Sequence, residues 1–128
     1  MIPTLDKQIE FLRNVGNIPE DEIELAETAL MLASLDRPGV SLQKYRHHLE
    51  ILKLDMENEG HAAKTAEERA AALSQVMWGR HEYKGDDEFY DDLQNANLMS
   101  VIDRRRGLPI SLGILYIHAA HSQGWNAE

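Results

Sequence analysis

At 128 residues the chain has the length for one domain with a modest core, and its 43% apolar and 27% charged content is ordinary for a globular protein. A net charge of −9 argues against nucleic acid as a partner, since phosphate affinity comes from clustered Lys and Arg and the one strong basic cluster is Arg104–Arg106. The absence of cysteine excludes disulfides, thiolate catalysis and cysteine-bound zinc together. No apolar run approaches the ~20 residues needed to span a bilayer, so no membrane partner is expected. The opening stretch MIPTLDKQIEFLRN lacks the apolar core of a signal peptide, which points to the cytoplasm.

In chain order, Leu5–Val15 reads as a short helix with Leu5, Ile9, Leu12 and Val15 on one side, ended by Gly16–Asn17. Pro19 is placed at or near the first position of a second helix, with Glu20, Asp21, Glu22 and Glu24 crowding its positive end. Its stripe is Ile23, Leu25, Ala26, Ala29, Leu30, Leu32 and Ala33, and Asp36-Arg37-Pro38-Gly39 is a turn by composition. Ser41 caps a third helix running to about Asn58, with Leu42, Tyr45, Leu49, Leu52 and Met56 on one face, and Gly60 ends it. Thr65 to Gly79 is a fourth helix opened by a capping box, Thr65 with Glu68. Ala70, Leu73, Val76 and Met77 should face inward, with Trp78 closing over the end. His81–Asp92 is polar and reads as a surface loop, and no stretch shows the alternation of a strand.

The segment Asn95–Gly124 reads as helix, tight break, helix. Asn97 is a good N-cap for a helix carrying Leu98, Val101 and Ile102, and Arg104–Arg106 falls in its last turn, at the negative end of the dipole. Gly107 suits the left-handed position after it, and Pro109 opens the next helix. That helix, Ile110–Gln123, is apolar nearly all round and should be buried on most sides. The expected fold is all-α: a five- to six-helix orthogonal bundle around this central helix, forming one domain over residues 1–128.

This segment resembles the SirB-type transglutaminase-like proteins, bacterial proteins with a transglutaminase-like core followed by tetratricopeptide repeats. The residues that carry the resemblance are Asn97, Leu98, Val101, Ile102, Arg104, Arg106, Gly107, Leu108, Pro109, Ile110, Ser111, Leu112, Leu115 and Tyr116. The tract Glu82–Asp92 and the helix Ile23–Ala33 look similar too. The resemblance implies a cysteine nucleophile at the start of the buried helix, where the dipole and free N–H groups favour a thiolate. Here that place is Ile110–Ser111, and the chain holds no cysteine. The histidine of a downstream Gly-His-Phe segment, also implied, is not found in these residues.

Ser111 is the candidate catalytic residue. It stands either as a remnant or working nucleophile, or as a residue that caps and packs its own first turn. His118 lies seven residues on, about 10 Å along the helix, too far to activate it directly. His118 and His121 could share a metal at i, i+3, but the zincin pattern needs i, i+4 with a glutamate, so no metal or cofactor is expected. His47 and His48 diverge by about 100° and are read as surface residues. Asp86, Asp87, Glu88, Asp91 and Asp92 offer oxygen ligands without the EF-hand pattern, and read as a solvated loop. Tyr83, Phe89 and Tyr90 among them either pin that loop to the helices or form a ligand cage.

Two functions compete. One is a transglutaminase- or protease-like acyl-transfer or hydrolase domain with Ser111 at the nucleophile position. The other is a non-catalytic helical domain that binds a protein partner, which the missing cysteine and histidine favour. The resemblance further implies that the chain is the N-terminal portion of a longer protein, with a β-sheet packed on the central helix. Tyr116, Ile117, Ala120 and Trp125 are then expected to lack cover, making a homodimer the simplest partner.

Overall fold

The computed structural model describes residues 2–20, 23–86 and 92–126. The described residues form six α-helices: α1 Leu5–Val15, α2 Leu25–Leu35, α3 Gln43–Gly60, α4 Ala66–Ser74, α5 Leu98–Arg104 and α6 Pro109–His121. The all-α bundle around α6 is as expected, with α6 packing against α2, α3, α4 and α5. No helix among the described residues is long and apolar enough to cross a membrane.

The caps and the best stripe follow the sequence closely. Thr65 and Glu68 form both halves of the capping box; at α3 the N-cap is Leu42 rather than Ser41, whose Oγ accepts from the Gln43 amide at 3.2 Å one residue earlier. Leu42, Tyr45, Leu49, Leu52 and Met56 are all buried, so α3 lays one whole face on the core. Gly60 is the last residue of α3 rather than its stop, and the Trp125 ring lies where a side chain would be.

Other expectations need correction. α2 begins at Leu25, not at Pro19, because Glu24 is extended at its N-cap and Ile23 N closes a separate turn on Glu20 O at 3.3 Å. Asp21 and Glu22 lie outside the described residues. On α1, Leu5 and Ile9 are exposed. The helix instead turns Gln8 inward, its amide donating to Ser34 Oγ at 2.8 Å, with Phe11, Leu12 and Val15 half-buried on the same side. The fourth helix widens after Ser74 into a π-helical turn, Gln75–Arg80. That extra residue per turn shifts the phase. Val76 and Met77 go inside, Leu73 is half-buried, and Ala70 and Trp78 are exposed, Trp78 by 58%.

The loop after it is not wholly at the surface. Tyr83 and Asp86 are buried, and β1, Lys84–Gly85, pairs in parallel with β2, Arg106–Gly107. A short 3-10 turn, Leu93–Ala96, then leads into α5.

α6 is less uniformly covered than its composition suggests. Ser111, Leu115, Ala119 and Ala120 form the buried line, while Ile110 is 74% exposed at the N-terminal turn. Of the four residues expected to lack cover, Ala120 is buried and Tyr116, Ile117 and Trp125 are half-buried.

Candidate functional site

Asn97 caps α5 as its side-chain oxygen accepts from the Ser100 amide at 3.2 Å, and its Nδ2 donates to Ala33 O at 3.1 Å. One side chain thus starts α5 and ties it to α2. The break that follows differs from expectation. Arg105, not Gly107, takes the left-handed backbone, with φ 59°. Gly107 is required for another reason: a Cβ there would meet the two Val101 methyls at 2.9 and 3.0 Å.

The centre of the motif is Asn95, which sequence reasoning missed. It is fully buried in the 3-10 turn, and its carbonyl accepts from the Leu108 amide at 3.2 Å and from Ser111 Oγ at 2.8 Å. Its side-chain oxygen accepts from Arg104 Nη1 at 3.0 Å, and Arg104 Nη2 binds Asp86 at 2.7 Å. The repeated Asn95-Ala96-Asn97 pattern was the available signal, for either asparagine is a fit N-cap. Arg106 donates from Nη1 to Arg105 O at 2.8 Å and to Glu82 O at 3.2 Å, bracing the strand pair. Pro109 opens α6 as expected, Leu112 N bonds Leu108 O at 3.0 Å, and Ile110 faces solvent.

Ser111 is therefore 4% exposed, and its hydroxyl donates to a backbone carbonyl across the break rather than to its own turn. A nucleophile needs a base and an open approach. Neither of the nearby histidines serves it: His118 Nε2 is bonded to Leu49 O at 3.1 Å, locking α6 to α3, and His121 is at the exposed end of α6. No grouping of three potential metal ligands occurs among the described residues.

A second polar cluster was also missed. His48 is buried, not at the surface, because the loop folds Tyr83 over it: His48 Nε2 and Tyr83 OH are 2.7 Å apart. His81 stands edge-on to it at 5.3 Å and bonds Asp55 at 2.7 Å, and Arg80 reaches the same carboxylate at 3.0 Å. Burial, with Arg105 and His81 adding repulsion, lowers the His48 pKa to about 4, and burial raises that of Tyr83. Asp87, Glu88, Phe89, Tyr90 and Asp91 lie outside the described residues.

The His48 shift has a sign that can be measured. Between its ordinary value of 6.5 and about 4, the unfolded chain binds a proton at His48 that the folded chain refuses. Stability should fall as the pH drops through that window, and the loss from this group should be complete near its lower edge. His48→Gln should flatten the decline in urea midpoint between about pH 7 and pH 4.5. An unchanged slope would assign the decline to other groups.

The Transglutaminase-like superfamily matches residues 43–128, which hold the motif and the whole of α6. A UPF0162 protein of Vibrio cholerae serotype O1 is 33% identical over 107 residues, 82% of this chain and 39% of that protein. UPF0162 proteins of Xylella fastidiosa strains Temecula1 and 9a5c are 26% and 25% identical, each over 87% of this chain and 40% of the relative. The chain thus spans about two fifths of the length of these curated relatives. No solved structure matches it. By a match that covers well over half of its residues, the chain belongs to the transglutaminase-like superfamily.

Proposed function

We propose that these residues are the helical, non-catalytic portion of a longer, cytoplasmic transglutaminase-like protein of the SirB type, and that they act through contact with another protein. The observation that carries this reading is the Ser111 hydroxyl, buried and donated to Asn95 O where an active relative would present its nucleophile. The absence of cysteine supports it. Leu25, Leu32 and Leu35 of α2 and Leu5 and Ile9 of α1 are each exposed and offer apolar area for a partner, a second copy being the simplest.

The test is chemical. The purified chain should release no ammonia from glutamine-containing peptides above the Ser111→Ala background. Ser111→Cys should react with a thiol reagent on the order of a hundredfold more slowly than a free thiol, since a buried thiol stays protonated and shielded. Rapid labelling at neutral pH, or ammonia release lost in Ser111→Ala, would overturn the non-catalytic reading. Sedimentation equilibrium then decides whether a second copy is the partner.

A further inference from the structure

Lys44, His47, His48 and Ile51 of α3 face Ile102, Asp103 and Arg105 across a cleft of about 480 Å³. The chain as a whole carries −9, yet this cleft is basic. Asp103 is the one carboxylate among its lining residues, and it is already held by Arg37 at 3.0 Å, Lys44 at 2.9 Å and the Tyr45 hydroxyl at 2.8 Å. Burial opposes the charge of Asp103, but these three hydrogen bonds outweigh it and keep its carboxyl below the ordinary range. Among the lining residues one negative charge thus stands against the cations Lys44 and Arg105, and Arg37 engages that same carboxylate from outside the cleft.

Arg105 is the unusual member. The residue is half-buried, and its guanidinium makes no ion pair among the described residues, bonding only the Ile102 carbonyl and lying 5.1 Å over the Tyr83 ring. Its backbone is left-handed, a conformation non-glycine residues rarely adopt. A half-buried cation with no carboxylate partner among the described residues is a fit receptor for an anion.

We infer that this cleft binds a small oxyanion, a phosphate or a carboxylate group, with Arg105 as its main partner and Lys44 and His47 as additional donors. Planar guanidinium presents paired donors that suit either group. Lys44 is 71% exposed along its side chain and is free to turn from Asp103, which keeps Arg37 and Tyr45. The site lies apart from Ser111, so it stands or falls independently of the non-catalytic reading.

Inorganic phosphate and acetate, titrated at constant ionic strength against sodium chloride, are the probes. Saturable NMR shifts centred on Arg105, Lys44 and His47 are expected with at least one of them, and the tighter probe tells a phosphoryl from a carboxyl ligand. Arg105→Asn should weaken binding about tenfold, since asparagine tolerates the left-handed backbone but carries no charge. Lys44→Gln should also weaken it, and Arg105→Lys should retain part. Shifts no larger than those from chloride, or full affinity in Arg105→Asn, would overturn the site. Should that variant not fold, the surface change Lys44→Gln decides, and an unaltered affinity there overturns it equally.

Discussion

Leu115→Ala is expected to cost roughly 2–5 kcal/mol and to lower the melting temperature by on the order of 10 °C. Leu115 is fully buried at the middle of α6, the helix that touches four of the others. Truncation leaves a cavity whose walls belong to separate helices, so collapse of any one wall cannot fill it. A domain of this size has a total stability of about 5–15 kcal/mol, so the variant sits close to unfolding at the upper end of the range. Ile110→Ala is the matched control on the same helix. With 74% of that side chain in solvent, its effect should stay within about 0.5 kcal/mol. Urea midpoints of the pair test whether the core truly runs through the Leu115 side of α6. Equal midpoints would contradict that packing.

Gly107→Ala should destabilise by about 1–3 kcal/mol through overpacking. The added Cβ would meet both Val101 methyls at 3.0 Å or less, and Val101 is fully buried and stiff at χ1. Asn95 O, which organises the opening of α6, would be only an ordinary contact at 3.5 Å, so the strain falls on Val101. Gly60→Ala makes a useful contrast. Its Cβ would approach Trp125 to 2.8 Å, but at the far edge of the ring, which can swing. Alanine also has the higher helix propensity, a gain smaller than in a helix interior because Gly60 is the last residue of α3, so Gly60→Ala should cost far less than Gly107→Ala. Adding Val101→Ala to Gly107→Ala should recover part of the loss, a non-additivity that a general destabilisation would not produce.

What the sequence made legible was local. Thr65 with Glu68, Asn97 and Pro109 act on neighbours three or four residues away, and the five-residue stripe on α3 needs only helical geometry. What stayed hidden depends on distant parts of the chain. His48 is buried by Tyr83, 35 residues later, and nothing around His48 announces that partner. Two-residue parallel strands are too short to show alternation, and the wide turn at Gln75–Arg80 has no compositional mark. Ser111 was rightly placed at the opening of the buried helix, but only its bond to Asn95 O shows that its hydroxyl is committed.

The way α1 is attached has a consequence for how the molecule opens. Its main packing partner is α2, and the single residue it buries is Gln8, held by one hydrogen bond to Ser34. Segments with few buried apolar contacts exchange their amide protons through small openings rather than through global unfolding. α1 is therefore expected to open as a unit, releasing only the half-buried Phe11 and Leu12 from the core, while Leu115 and the rest remain closed. Each such event would uncover Ser34 and the adjoining side of α2 to solvent, a form with a different surface.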